Sequence, residues 1–415
     1  MGFGKIHTSS TDRKSHINRK LSIWIYNSIV HARIRSLLIG LCRTLYEGLN
    51  MKITDMRIES YRWPKPTPQS NGKHTYTHDG RNFVFIDTDE GITGVGLIGG
   101  LHTSDSISKA IFEHYKESVI GEDPFCNEKI WDDLWEPKIS GRRGMTTRVI
   151  SGIDIALWDI KGKAANQPVY KLLGGYTQKV PVYIAGGYYE DGKGLKELQE
   201  EMLTSVGMGA NAVKMKIGAV SSNEDVERVK AVREAIGPNV KLMVDANCAY
   251  RFYEAIEIAK KMEPYDIFWF EEPIAPDDYK GHQLISQSTT IPIATGENEY
   301  TKYGFRDLIE SRSAAILQPD ALIMGGVTEF MKVSAQAQAH NLPIAPHGKQ
   351  EVHIHLLCAI PNGLILEYYR EETDPIFNQI YEFTLQVEDG YVSPPDLPGF
   401  GINPNMDILK QYRVS

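Results

Sequence analysis

Three carboxylates, Asp245, Glu271 and Glu297, stand at the ends of consecutive short apolar segments, 26 residues apart in each case. If these segments are neighbouring strands, the acids meet in one cleft, where like charges repel and raise each other's pKa. A hard divalent cation offsets that repulsion, and carboxylate oxygens suit Mg²⁺, whose other positions can accept substrate oxygens and water. We therefore predict one Mg²⁺ bound by the three acids. The adjacent Glu272 points to the opposite side of its strand, but the pattern alone does not decide between Glu271 and Glu272.

Nitrogen bases occupy further segment ends. Lys214 and Lys216 share one face of a strand, and neighbouring ammonium groups can lower a lysine pKa from about 10.4 toward the 7–8 useful to a general base. His347 ends a later segment and Asp320 ends the one before it, so Asp320 can accept a hydrogen bond from His347 and raise its basicity. A lysine, a histidine and a metal ion around one cleft suit removal of a proton α to a carboxylate, with the ion stabilising the enolate.

The segments that position these residues recur along the second half of the chain. Eight apolar runs alternate with amphipathic stretches from residue 180 onward, and the last seven runs end 29, 26, 26, 23, 27 and 20 residues apart. A strand, a helix and two loops need about that many residues, which indicates parallel β/α units. We predict an α/β fold with a (β/α)₈ TIM-type barrel. An open doubly wound sheet is the alternative, but no Gly-rich dinucleotide fingerprint follows the first strand.

The chain before the predicted barrel has a different pattern. Residues 51–100 alternate like strands, with a hairpin turn at Asp89–Gly91, and residues 104–170 have helical periodicity. Between the strands, Pro64–Arg81 is predicted to be a long loop, of a kind that is often functional. We expect an α+β capping domain at residues 51–178, the barrel at 179–370, and a C-terminal segment at 371–415 that returns to the cap.

Composition and charge limit the classes of function. The 415 residues carry a net charge of −8, of which residues 1–50 carry +6 and the rest −14. We interpret residues 1–50 as a basic extension outside the fold, from a start upstream of Met51 in preference to a transit peptide. The acidic remainder indicates no nucleic-acid partner, and the charge-interrupted apolar stretch of the extension indicates no membrane span. Four scattered cysteines without a CxxC pair predict neither disulfides nor a zinc-thiolate site, which favours a cytoplasmic compartment.

Seven short motifs follow one another at the predicted strand ends. They are Ala212-Val-Lys-Met-Lys-Ile, Val244-Asp-Ala-Asn, Phe270-Glu-Glu-Pro, Gly296-Glu-Asn, Gln318-Pro-Asp, Ala345-Pro-His and Leu366-Glu. In this order they resemble the signature of the mandelate racemase subgroup of the enolase superfamily, and the resemblance extends from Met51 to the C-terminus. It implies Glu271, and not Glu272, as the metal ligand. It also implies an N-terminal cap that closes over the strand ends of the barrel.

The resemblance implies a role for each of the remaining strand-end residues. Lys216 is implied as a base, with Lys214 as its electrostatic partner. His347 and Asp320 are implied as the acid/base pair on the opposite side. Glu367 is implied as a protonated acid that hydrogen-bonds the enolate.

Taken singly, these residues have ordinary structural explanations. One Lys-x-Lys pair is usually a solvated strand end, one acid at a strand end can cap a helix, and one histidine is more often packed than catalytic. His353 and His355 lie two residues apart on a predicted helix and do not share a face, so we interpret them as structural. The functional interpretation rests on the whole set, because three consecutive acidic ends are not explained one at a time.

Specificity is expected from the polar residues of Pro64–Arg81 and Ser140–Gly144. Arginines in these segments could clamp a carboxylate, and histidine and tyrosine side chains could meet hydroxyl groups. The candidate substrate-binding residues are Arg81, His74, Tyr76, Arg142, Arg143 and Tyr188. Such a polar set favours a polyhydroxy acid over an aromatic one.

We therefore predict a Mg²⁺-dependent hydro-lyase that removes the C2 proton of an acid sugar and eliminates water to give a 2-keto-3-deoxy acid. A racemase or epimerase, or a sugar-lactone cycloisomerase, uses the same residues and stays open. A non-catalytic binding protein on the same fold would lack a ligand or a base, and none is missing. The expected partner is a small carboxylate substrate, and we expect a homo-oligomer.

Overall fold

The computed structural model describes residues 1–2, 51–100, 105–370 and 374–414. The predicted extension at residues 1–50 lies outside these ranges, apart from Met1 and Gly2. Lys52–Ser415 form one compact unit. Within the described ranges, no helix is both long enough and apolar enough to cross a lipid bilayer.

In the described residues before the parallel strands, an antiparallel sheet and five helices form the N-terminal part, as the sequence predicts. The strands are β1 (Ile53–Ser70), β2 (Thr75–Thr88) and β3 (Thr93–Ile98), and the helices are α1 (Asp105–Val119), α2 (Asn127–Leu134), α3 (Pro137–Ser140), α4 (Met145–Ala164) and α5 (Val169–Leu172). Helix α4 packs closely on β3, where a Cβ added at Gly96 would lie 1.9 Å from the carbonyl oxygen of Gly152. Only glycine at position 96 permits this approach of helix and strand backbones.

The segment Pro64–Arg81 is not the predicted long loop. Strands β1 and β2 pair through it, with Pro64 opposite His78 and Gln69 opposite Tyr76, and a register irregularity lies between these two pairs. Proline lacks a ladder donor and is tolerated on edge strands and at irregularities, and β1 is an edge strand of its sheet. The prediction is wrong because prolines do not break a strand at these positions.

Parallel strands and helices alternate in the second part of the chain. The strands are β4 (Val180–Gly186), β5 (Ala212–Lys216), β6 (Lys241–Asp245), β7 (Ile267–Glu271), β8 (Ile293–Thr295), β9 (Ile316–Leu317) and β10 (Leu366–Tyr369), and the helices are α6 (Leu195–Gly207), α7 (Ser222–Ile236), α8 (Phe252–Met262), α9 (Tyr279–Ser288), α10 (Thr301–Glu310), α11 (Gly326–Ala339) and α12 (Gln350–Ala359). The strands pair in the order β10-β4-β5-β6-β7-β8-β9. Single parallel bridges join Ile344 to Leu317 and to Gly363. A mixed α/β fold with parallel strands is confirmed, and the closed eight-stranded barrel stays a prediction.

The two faces of the parallel strands bury different residues. Val213 and Met215 of β5 belong to an apolar cluster with residues of the flanking helices. Tyr183, Met243 and Trp269 belong to a separate cluster on the other face. Side chains alternate along a strand, so the two lysines of β5 lie on this second face, where they are buried.

Backbone hydrogen bonds hold the N-terminal sheet against the parallel strands. Ser70, at the end of β1, and Tyr189, just after β4, exchange two N–H···O bonds of 2.8 and 2.9 Å. Near the C-terminus, β11 (Tyr391–Val392) pairs with β4, and Val414 donates its N–H to the carbonyl of Ser60 at 2.9 Å. The β1–β2 hairpin is thereby fixed beside the carboxyl end of β4, where the candidate site lies.

Candidate active site

Asp245, Glu271 and Glu297 meet at the carboxyl ends of three neighbouring strands. The first two are the last residues of β6 and β7, and Glu297 follows β8 by two residues. One oxygen from each lies within 4.8 Å of the others. All three residues are buried, and Glu297 Oε2 is buried without a hydrogen-bond partner in the described part of the chain. A group of this kind fits a hard divalent cation, which would satisfy the free oxygen and offset the repulsion between the acids.

The neighbouring acid, Glu272, faces elsewhere. Asn298 Nδ2 donates to both of its carboxylate oxygens at 2.9 and 3.0 Å, and Cys248 Sγ lies 3.4 Å away. Burial raises the pKa of Glu272 well above its usual value, with the charge of Glu297 adding to the effect. Its oxygens are thus occupied outside the group formed by Asp245, Glu271 and Glu297.

Burial and repulsion within the acidic group both act on Glu271. Burial raises its pKa to about 8, and the charge of Asp245 contributes in the same direction. Trp269 donates its indole N–H to Glu271 Oε2 at 2.9 Å, which fixes the carboxylate in the cleft. A cation within reach of these oxygens favours the ionised form.

Both lysines of β5 form ion pairs with these acids. Lys214 Nζ lies 2.6 Å from Glu271 Oε1 and 2.7 Å from Glu367 Oε1, and Lys216 Nζ lies 2.5 Å from Asp245 Oδ2. Burial acts to lower the pKa of Lys216, but the charge of Asp245 outweighs it and raises that pKa above its ordinary value. The expected lowering of a lysine pKa stays a prediction for the metal-bound site, because a cation bound to Asp245 would weaken the ion pair that raises it. A divalent cation would compete with both lysines for the same oxygens.

Glu367, the second residue of β10, is enclosed by positive charge. Burial acts to raise its pKa, but Lys214, His347 and Lys216 together lower it to about 2. The backbone N–H of Gly348 also donates to Glu367 Oε2, at 2.8 Å. This differs from the expectation that Glu367 is protonated, because the ammonium groups stabilise its ionised form.

His347 lies on the other side of the acidic group from Lys216. Its Nδ1 is 3.1 Å from Asp320 Oδ2, and its Nε2 is 3.5 Å from Glu297 Oε2. Burial acts to lower the pKa of His347, but the charge of Glu297 and the hydrogen bond with Asp320 raise it to about 10. Because Lys216 contacts Asp245 and His347 approaches Glu297, the two nitrogen groups flank the acidic group, where one can take a proton while the other gives one.

The two other histidines of this region have structural contacts. His353 is buried, its Nε2 accepts the N–H of Ala321 at 3.0 Å, and it supports the segment that carries Asp320. His355 is buried beside Phe400, whose carbonyl lies 3.2 Å from its Nε2.

Tyr76 and Tyr188 are the predicted substrate-binding residues that lie beside the site. The Lys216 ammonium lies 5.1 Å from the centroid of the Tyr188 ring, and the Tyr76 ring lies 6.5 Å from that of Tyr188 at 89°. Asn71 Nδ2 donates to the Tyr76 hydroxyl at 3.2 Å. His74 is exposed near the turn of the hairpin, with its ring 6.2 Å from that of Tyr76.

The position of Arg81 contradicts its predicted role in substrate binding. It is 5% exposed, its Nη1 lies 3.3 Å from Asp79 and donates to the carbonyl of Gly80 at 2.7 Å, and its Nε lies 3.8 Å from Glu351. The guanidinium also stacks 4.7 Å from the Phe377 ring. Arg81 is therefore not free to clamp a substrate carboxylate, because it is committed to a buried ion cluster under the hairpin.

The two arginines of Ser140–Gly144 lie at the surface. Arg143 pairs with Asp277 and Glu299 and donates to the Tyr279 hydroxyl at 2.7 Å, so its charge is already matched within the protein. Arg142 is exposed. A role for either in substrate binding stays a prediction.

The sequence reasoning missed Tyr369. This residue stands two positions after Glu367 on β10, so strand alternation places both on one face. Charge interactions link the Tyr369 phenol to Glu367 and Tyr188. The alternation that identified Lys214 and Lys216 as a pair was a sufficient signal to find it.

Two family profiles match this chain. Residues 53–174 match "Mandelate racemase / muconate lactonizing enzyme, N-terminal domain", and residues 197–408 match "Enolase C-terminal domain-like". The chain belongs to the mandelate racemase/muconate lactonizing enzyme family. Membership of this subgroup of the enolase superfamily, which the motifs predicted, is confirmed.

Relatives in the mandelate racemase/muconate lactonizing enzyme family are named for three activities. The arabinonate dehydratase of Saccharolobus solfataricus is 36% identical over 334 residues, which cover 79% of this chain and 89% of that protein. The 3,6-anhydro-alpha-L-galactonate cycloisomerase of Streptomyces coelicolor is 35% identical and covers 87% of this chain and 99% of its own length. The crystal structure of a racemase from Streptomyces coelicolor A3(2) with bound magnesium has a TM-score of 0.82 at 33% identity, covering 87% of this chain and 100% of that one.

The buried position of Arg81 gives a testable prediction. Arg81→Met removes one partner of a buried ion cluster, which typically costs about 3–5 kcal/mol of unfolding free energy. Urea denaturation measures the loss, and the exposed Arg142→Met, expected to change stability by less than about 0.5 kcal/mol, is the matched control. A raised KM with unchanged stability in Arg81→Met would instead restore the substrate-clamp interpretation.

Proposed function

We propose that this protein is a Mg²⁺-dependent acid-sugar dehydratase, a hydro-lyase that converts an aldonic or aldaric acid to a 2-keto-3-deoxy acid. The observation that carries the proposal is the buried group of Asp245, Glu271 and Glu297, flanked by Lys216 and His347. The magnesium bound to the related racemase supports the choice of ion, and the dehydratase names of curated relatives support the choice of reaction.

The chain's own residues supply the proton transfers. A divalent cation held by the three carboxylates would bind the substrate carboxylate and make its α-proton more acidic. Lys216 or His347 takes the proton from C2, and one of them gives a proton to the C3 hydroxyl, which leaves as water. Asp320 positions the His347 ring from its far side, and Glu367 holds Lys214 beside the site. The enol left after elimination tautomerises to the 2-keto-3-deoxy acid.

The proposal includes the closed (β/α)₈ barrel and the capping role of the N-terminal part. Strand β10 pairs with β4. Ile344 bridges Leu317, which ends β9, and Gly363, which precedes β10, so contacts also span the space between β9 and β10. A closed ring explains how residues from β5 to β10 reach a common site.

Magnesium binding can be measured without turnover. Mg²⁺ at about 100 times its Kd should stabilise the folded chain by about 2.7 kcal/mol, seen as a higher Tm that EDTA reverses. Glu271→Gln should lose this shift because it removes a ligand. The matched control is Glu272→Gln, which should keep the shift because that acid already has other partners. A shift that is lost only in Glu272→Gln would show that Glu272, and not Glu271, is the ligand.

Turnover tests the acid/base assignment. In a screen of aldonic and aldaric acids with Mg²⁺, formation of 2-keto acid is read by semicarbazide absorbance. Lys216→Ala should lower kcat about 10²- to 10⁴-fold, with circular dichroism unchanged, whereas the exposed Lys260→Ala should behave as the wild type. Turnover at the wild-type rate by Lys216→Ala would refute the assignment.

The alternatives have distinct outcomes in the same experiment. If Lys216 takes the C2 proton, His347→Asn should still exchange that proton with ²H₂O while losing elimination. Exchange or inversion at C2 without any keto acid in the wild type indicates a racemase or epimerase, and consumption of a sugar lactone indicates a cycloisomerase.

A further inference from the structure

Two tyrosines on adjacent strands lie beside the proposed acid/base groups. Tyr188 follows β4, Tyr369 ends β10, and Tyr369 pairs in register with Ala185 of β4. Both side chains are half-buried. The Tyr188 ring covers the Lys216 ammonium at 5.1 Å, and the charge of Glu367 acts on both phenols. The pair therefore forms one wall on the lysine side of the cleft.

Neither phenol oxygen has a hydrogen-bond partner among residues 51–100, 105–370 and 374–414. Other tyrosines nearby differ: the Tyr183 hydroxyl lies 3.4 Å from Lys214 Nζ, and Tyr368 donates to the carbonyl of Leu385 at 2.8 Å. Polar groups at this depth are normally bonded to protein or water. Neither of these two oxygens is fully enclosed by the protein, so both hydroxyls are open to a ligand in the cleft.

The chemistry of this wall suits a hydroxylated carbon chain. Burial raises the pKa of Tyr188 to about 12 and that of Tyr369 well above 10, so both phenols are neutral donors at neutral pH. A phenol can both donate to and accept from a sugar hydroxyl. The aromatic faces, which Tyr76 extends at 6.5 Å from Tyr188, can pack against C–H groups between the hydroxyls.

We propose that Tyr188 and Tyr369 form a polyol subsite that binds the hydroxyl groups of the substrate beyond C4. The inference rests on the proposed function, because it takes the substrate carboxylate to be held at the group of Asp245, Glu271 and Glu297. A carboxylate bound to a divalent cation held there would place C2 near Lys216, with the rest of the substrate extending past the same lysine toward the tyrosine wall. The subsite selects acid sugars over short hydroxy acids.

The test compares long and short substrates in tyrosine variants. D-Arabinonate, D-galactonate, L-rhamnonate and galactarate are each paired with the four-carbon aldonate of the same C2 and C3 configuration, and kcat/KM is measured with Mg²⁺. Tyr369→Phe and Tyr188→Phe keep the rings and remove only the hydroxyls. Each should lower kcat/KM for the long acid about five- to ten-fold, as expected for one lost hydrogen bond to an uncharged group, and leave the four-carbon acid unchanged.

The matched control is Tyr368→Phe, on the same strand with its hydroxyl bonded away from the cleft. It should leave the ratio of long to short kcat/KM at the wild-type value. Equal losses for long and short acids in Tyr369→Phe and Tyr188→Phe, or no loss at all, would overturn the subsite. If the wild type converts none of these acids, the dehydratase proposal itself fails, which is a different result.

Discussion

Mutual repulsion between Asp245, Glu271 and Glu297 is the interaction on which the rest of the site depends. Three strands must end at one level to bring these acids together, and burial makes their charges costly unless positive charge lies close by. In this structure two lysine ammonium groups of β5 supply it, at 2.5 and 2.6 Å from carboxylate oxygens. The same balance makes the site suited to a divalent cation, whose binding would release the lysines from those acids for work on a substrate.

The remaining architecture explains how one site can serve related reactions. The acids, Lys216 and His347 all come from the parallel strands and the segments that follow them, so the proposed metal ligands and proton-transfer groups lie in one part of the fold. The β1–β2 hairpin is a separate element, fixed by the paired Ser70 and Tyr189 and by the ion cluster of Arg81. Under the proposed function, the choice among dehydration, racemisation and cycloisomerisation is set by residues facing the substrate.

The sequence predicts best those features that depend on the β/α repeat and on the alternation of side chains along a strand. The spacing of Asp245, Glu271 and Glu297 predicted their convergence, because parallel strands end on one side of a sheet. Contacts between distant segments were harder to predict. The pKa of Lys216 depends on Asp245 across the sheet, and the position of Arg81 depends on Glu351, which is 270 residues away along the chain. The hairpin was missed because composition alone does not distinguish a proline-rich edge strand from a loop.

The most direct test of the metal centre is a crystal structure of the protein soaked with Mn²⁺, an ion that carboxylate sites accept in place of Mg²⁺. We expect one anomalous difference peak per chain, bonded to an oxygen from each of Asp245, Glu271 and Glu297, with Lys216 and Lys214 displaced from those oxygens. A peak at other residues, or no peak while both lysines keep their ion pairs, would contradict the assignment of this group as the metal site.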